Sequence, residues 1–89
     1  MQEKQVEIIN KLGLHARAAA KLVKLCSEFE STIEMQKQDK CVDCKSIMGV
    51  MMLAAGCGTH VTVRTTGSDE EIAMQSVISL INGRFGENE

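Results

Sequence analysis

Apolar and polar residues alternate near the start of the chain, with Val6 and Ile8 set between Gln5 and Glu7. That period of two predicts a short, half-buried strand. Asn10-Lys11-Leu12-Gly13 breaks it. From Ala16 to Glu28 the period lengthens, and Ala19, Leu22, Cys26 and Phe29 recur at spacings of three and four, which places them on one helical face. Ser31 to Gln36 reads as a second strand with Ile33 and Met35 inward, Lys37-Gln38-Asp39-Lys40 as a polar turn, and Cys41 to Cys44 as the return strand. Ser46 stands as the N-cap of a short helix over Ile47 to Leu53, closed by Gly56 and Gly58. His60 to Thr66 alternates again, with Val61 and Val63 inward. Ser68-Asp69-Glu70-Glu71 has the S-x-x-E form of a capping box and opens a helix with Ala73, Val77, Leu80 and Ile81 inward. Asn82-Gly83 stops that helix, and the tail Glu87-Asn88-Glu89 is expected to fray.

The order β-α-β-β-α-β-α contains no internal repeat or linker. Four strands with one polar face need a single covering layer. The expected fold is therefore α+β: an open-faced β-sandwich, a four-stranded antiparallel sheet covered on one face by three helices. At 89 residues the chain suits one domain, 1–89, with a modest core.

Composition narrows the function classes. The chain lacks Trp, Tyr and Pro and has two Phe, Phe29 and Phe85, so it offers no stacking platform for single-stranded nucleic acid. Its net charge of −2 does not steer it toward nucleic acid. The start of the chain is polar and the longest apolar run, Val50 to Ala55, is far too short to span a bilayer. A cytoplasmic protein, not inserted in a membrane and with its four cysteines reduced, is expected.

The candidate chemistry lies where the first strand gives way to the first helix, at Gly13-Leu14-His15-Ala16-Arg17. A helix start presents unpaired N–H groups and roughly half a positive charge, which favours an anion. A neutral imidazole there has the lone pair a nucleophile needs. Lys11, Arg17, Lys21 and Lys24 bring four positive charges to the stretch from 11 to 27, which has no acidic residue. Arg17, Lys21 and Lys24 form a stripe running away from His15. The same residues suit a histidine that only caps a helix beside a solvated lysine face.

Gly13-Leu14-His15-Ala16-Arg17, followed by Lys45-Ser46-Ile47-Met48-Gly49-Val50-Met51, resembles the HPr family, the histidine-containing phosphocarriers of the phosphoenolpyruvate-dependent sugar phosphotransferase system. The likeness spans essentially the whole chain. It implies that His15 is phosphorylated at Nδ1 by enzyme I and passes the group to a histidine of an enzyme IIA domain. It also implies that Arg17 and the N–H groups of Ala16 and Arg17 hold the phosphoryl oxygens. Ser46 matches the family's regulatory serine, the target in some bacteria of a dedicated kinase/phosphorylase. The family often has proline after the arginine, where this chain has Ala18; both sugar-uptake and nitrogen-linked relays fit the resemblance.

Ile47, Met48 and Met51 form an expected semi-exposed patch rimmed by Lys45, Lys24 and Arg17, with Val50 and Leu53 facing inward. Together with Ala20 and Lys21 these make the expected partner-binding surface of a monomer. No Walker A loop, kinase signature or paired-carboxylate motif is present, so the chain is expected to be a stoichiometric carrier without a cofactor, not an enzyme. Two other classes use other parts of the sequence. One is a regulatory binding module docking through Ile47, Met48 and Met51 with His15 silent. The other is a metal or dithiol protein built on Cys41, Cys44, Cys57 and His60, although no metal site is expected, because Cys41 and Cys44 should face opposite sides of a strand. Cys26 and one of that pair are expected in the core, with Cys44 exposed and oxidisable.

Overall fold

The structure, a computed structural model, describes residues 1–89. Its elements are β1 (Gln2–Glu7), α1 (Ala16–Cys26), β2 (Thr32–Lys37), β3 (Lys40–Asp43), α2 (Ile47–Met52), β4 (His60–Thr66) and α3 (Glu70–Asn82), followed by a 3-10 turn, Arg84–Gly86. The strands form one sheet in the order β1-β4-β2-β3, antiparallel throughout. The helices cover one face, with α3 against β1 and β4 and α1 between α2 and α3.

Alternation decides which strand residues go inward. Val61, Val63 and Thr65 of β4 and Ile33 and Met35 of β2 are buried, and the cross-strand rows put Val63 opposite Met35 and Val61 opposite Val6. Ile8 lies one residue past β1 and still exchanges backbone bonds with Thr59 and Gly58. On the same inward row, β1 carries exposed Lys4 opposite Val63. A charge on the inward side of an edge strand discourages another chain from pairing there.

Three local expectations are corrected. Helix α3 begins at Glu70 with Asp69 as its N-cap residue, and no side chain caps it. Ser68 instead donates its hydroxyl to Glu30. The Asp69 carboxylate accepts from the backbone N–H groups of Glu30 and Ser31 and from the Ser31 hydroxyl. With those three donors the carboxylate ties the α1–β2 turn to the start of α3. The Ser31 hydroxyl first, then the Glu30 N–H, holds the Asp69 carboxyl below the ordinary carboxylate range.

The second correction concerns Cys44, which is fully buried while Cys41 is exposed. Cys44 continues the inward row of β3: Val42 pairs with buried Met35, and the Cys44 N–H donates to the carbonyl of buried Ile33, so alternation turns its side chain into the core. The buried Cys26 thiol beside it, together with burial, pushes the Cys44 thiol above the ordinary thiol range. A thiol so held is not an oxidisable surface group.

The tail is the third. Phe85 is fully buried, and Arg84 and Phe85 both take left-handed backbone conformations (φ 57° and 55°). Such conformations are uncommon without glycine, and here they turn the ring back into the core. The tail beyond Phe85 is consequently docked.

Candidate functional site

The loop carrying His15 is shaped by Gly13. Its φ is +67°, and a Cβ there would lie 2.7 Å from both the Ala55 oxygen and the Gly56 Cα. Only glycine lets the loop run this close to the chain leaving α2. Leu14 N–H then donates to Ala55 C=O at 2.9 Å, fixing the loop against that segment, and the buried Leu14 side chain anchors it in the core.

His15 is itself the N-cap of α1: its backbone is extended and its Nδ1 accepts from the Arg17 N–H at 3.3 Å. Its Nε2 meets Glu87 Oε2 at 2.5 Å. The side chains of His15 and Glu87 are 27% and 15% exposed, so the ring is reachable but not freely solvated. Arg17 and Ala16 are exposed on the first turn, where N–H groups have no intrahelical acceptor.

The tail completes the site. Lys21 Nζ donates to Phe85 C=O at 2.7 Å. Fully buried Asn10 gives its Nδ2 hydrogens to Gly13 C=O at 2.8 Å and to Glu87 Oε1 at 3.0 Å. The Asn10 amide first, and then the His15 ring, holds the Glu87 carboxyl below the ordinary carboxylate range. The expected fraying of Glu87-Asn88-Glu89 is thereby overturned. Between the loop and the tail lies an open cleft of about 810 Å³, lined by Lys11, Leu12, His15, Ala16, Arg17 and Lys21 on one side and residues 86–89 on the other. That space far exceeds a phosphoryl group.

None of the molecule's ion pairs involves Arg17, Lys21 or Lys24. Lys45 donates to Phe29 C=O at 2.8 Å. Ser46 Oγ accepts from Gly49 N–H at 3.1 Å as the N-cap of α2. Along that helix Ile47, Met48 and Met51 are exposed while Val50 and Leu53 are fully buried. Ala20 and Lys24 are exposed on α1, the helix against which α2 packs.

An imidazole at the start of a helix that carries Arg17, Lys21 and Lys24, with an exposed apolar patch on a second short helix, can be compared with known proteins. The family model described as "PTS HPr component phosphorylation site" matches residues 2–83. The chain is 55% identical to the phosphocarrier protein HPr of Cupriavidus necator over 89 residues, covering all of both chains. The chain belongs to the HPr family of phosphocarriers. It is 52% identical to phosphocarrier protein HPr of Neisseria meningitidis serogroup A, again over the full length of both. Its fold superposes on the crystal structure of HPr-C-His from Thermoanaerobacter tengcongensis with a TM-score of 0.97 at 45% identity, covering all of both chains. The open-faced α+β sandwich is thus the HPr architecture.

The residues of the metal or dithiol alternative do not gather. Cys44 is buried against Cys26, Cys41 and Cys57 are exposed, and His60 sits on the strand end near Glu7 at 3.8 Å. No three His, Cys, Asp or Glu side chains are arranged to hold a metal ion. No helix is long and apolar enough to cross a membrane.

Sequence reasoning missed five contributors to this region: Asn10, Phe85, Glu87, and the exposed apolar residues Leu12 and Met52. Leu12 carried a signal, being an apolar residue inside a polar turn. Phe85 carried another, as one of only two aromatics and placed past a helix stop. Asn10 and Glu87 carried none, because 77 residues separate them and neither belongs to a periodic pattern.

Proposed function

We propose that this chain carries a phosphoryl group on Nδ1 of His15, taking it from phosphorylated enzyme I, which draws it from phosphoenolpyruvate, and passing it to a histidine of an enzyme IIA domain. The observation that carries the reading is the direction of Nδ1. It accepts the Arg17 backbone N–H, so its lone pair points at the start of α1. In the forward step that lone pair attacks phosphorus and forms the new N–P bond. The bond to the donor nitrogen breaks, and its electron pair stays with the donor. The phosphoryl oxygens then lie over the first N–H groups of α1, including those of Ala16 and Arg17, and within reach of the Arg17 guanidinium. These donors stabilise the dianion where it forms.

Partner docking is assigned to Ala20, Lys21, Lys24, Lys45, Ile47, Met48 and Met51. Exposed methionines adapt to surfaces of different shape, which suits a carrier that must fit a donor and an acceptor in turn. Ser46 lies within this surface. A phosphate added there by a kinase/phosphorylase would bring about −1.5 to −2 charge. At the N-terminus of α2 that charge is compatible with the helix but repels an acidic partner.

The deciding experiment is transfer from phosphoenolpyruvate and enzyme I, read by intact-mass spectrometry. The wild-type chain gains one phosphate, lost rapidly in mild acid as expected of a phosphoramidate, and His15→Ala gains none. A His15→Ala chain that is still phosphorylated would refute the assignment. Transfer that fails with the wild type, in the presence of active enzyme I, favours the binding-module reading with His15 silent.

A further inference from the structure

We propose that Glu87, oriented by Asn10, is a positioning residue that keeps the His15 proton on Nε2 and so leaves Nδ1 free as the nucleophile. This rests on the reading of His15 as the phosphoryl acceptor. A neutral imidazole has one N–H donor and one acceptor nitrogen, and its neighbours decide which is which. Here both neighbours agree. The Arg17 N–H can only donate, so Nδ1 is the acceptor. The Glu87 carboxylate can only accept, so Nε2 carries the hydrogen. The carboxylate contact is the stronger of the two, because one partner is charged.

Asn10 sets the orientation of the carboxylate. Its Nδ2 faces two oxygens, Gly13 O and Glu87 Oε1, and a flipped amide would place oxygen against both. Its Oδ1 is buried without a partner, so the amide is held by its nitrogen alone. The result is a chain of contacts from the loop carbonyl through Asn10 and Glu87 to the far side of the reacting ring. When Nδ1 bonds to phosphorus the ring becomes cationic, with the Nε2 proton retained. The carboxylate beside Nε2 stabilises that charge without standing in the path of the incoming group, because the two ring nitrogens face different directions. On transfer to an acceptor histidine the N–P bond breaks, its electron pair returns to Nδ1, and the ring is neutral again.

The test uses the side chain that most resembles Glu87. In Glu87→Gln the amide oxygen stays on the Asn10 donor, so the amide nitrogen faces Nε2 and donates to it. The ring proton then moves to Nδ1 and the lone pair is lost. Glu87→Ala offers neither donor nor acceptor and leaves the ring free to choose. Ring ¹⁵N chemical shifts of the full chain at alkaline pH read the protonated nitrogen directly, before any phosphoryl transfer. The expected result is an unprotonated Nδ1 in the wild type and a protonated Nδ1 in Glu87→Gln. Transfer from enzyme I should fall on the order of a hundredfold or more in kcat for Glu87→Gln, by analogy with a wrong-tautomer histidine in a catalytic triad. The loss in Glu87→Ala should be smaller, and KM for the carrier should be unchanged in both. A merely structural tail contact predicts the opposite order, with alanine worse than glutamine; that order would overturn the proposal. So would a wild-type ring protonated on Nδ1, or wild-type rates in both variants. If the wild type takes no phosphate while its Nε2 carries the proton, the carrier reading fails and the positioning inference about the ring stands.

Discussion

His15 does two jobs with one ring nitrogen. As a cap it gives Nδ1 to the Arg17 N–H, and as a proposed nucleophile it gives the same lone pair to phosphorus. The two uses exclude each other at any instant, so the phosphorylated ring must release the N–H, which is then free to meet a phosphoryl oxygen. Arg17 contributes its side chain to the same place. Its guanidinium is exposed and outside every ion pair of the molecule, so removing it leaves the fold almost untouched. Arg17→Ala should change unfolding free energy by less than about 0.5 kcal/mol, the ordinary scale for an exposed substitution. The same change should slow phosphoryl transfer on the order of ten- to a hundredfold, as expected for loss of one donor at a developing anion. Urea unfolding and stopped transfer assays on the same preparation check both halves. Equal transfer rates would remove Arg17 from the site.

At the scale of elements, α2 shows how a very short helix is held. Six residues are too few to be stable by propensity, so both ends are tied to neighbours. Ser46 caps the start, Val50 and Leu53 are buried beneath it, and Lys40 and Lys37 donate to the carbonyls of Met52 and Ala54 at the far end. Ser46→Ala should therefore cost about 1 kcal/mol of stability. Ser46→Asp should retain the cap and the stability while slowing transfer to an acidic partner. Thermal unfolding together with transfer rates separates the two effects; if Ser46→Asp transfers like the wild type, charge at this position does not control docking. The caps also show where sequence reading succeeds. Ser46 was legible because one serine precedes an apolar run, and β2 and β4 because Ile33, Met35, Val61 and Val63 alternate. The S-x-x-E at Ser68 misled because the Asp69 carboxylate is drawn to donors at Glu30 and Ser31, a tertiary demand that no local motif encodes. The His15 loop and the patch on α2 were legible for the same reason as Ser46: each is a local pattern at a helix start. The tail was not, since its docking depends on Phe85 adopting a left-handed backbone and on Asn10, far away in sequence, receiving Glu87.

Across the whole molecule, acids lie on both faces, including Glu70 and Glu71 on α3 and Glu87 and Glu89 beside His15, but α1 itself carries only cations. The uncovered face of the sheet carries a cross-strand row of Glu3, Arg64, Glu34 and Asp43, in which one cation meets three carboxylates. On the helical side, Lys11, Arg17, Lys21 and Lys24 lie in a stretch without any acid. An anionic partner docking on α1 would therefore meet Arg17, Lys21 and Lys24 there, whatever the net charge of −2. Such an arrangement acts on the rate of encounter more than on the lifetime of the complex. Lys24 is the cleanest probe, because it is exposed, unpaired and about two and a half helical turns from His15 along α1. Lys24→Glu should lower the apparent second-order rate of transfer from enzyme I roughly tenfold at low salt. The difference from wild type should shrink as the Debye length falls to about 8 Å near physiological ionic strength. Glu34→Lys, on the opposite face, changes the net charge by the same amount in the other direction. If net charge governed encounter, Glu34→Lys would raise the rate as much as Lys24→Glu lowers it. If placement governs, Glu34→Lys leaves the rate nearly unchanged, and only the α1 stripe responds to salt.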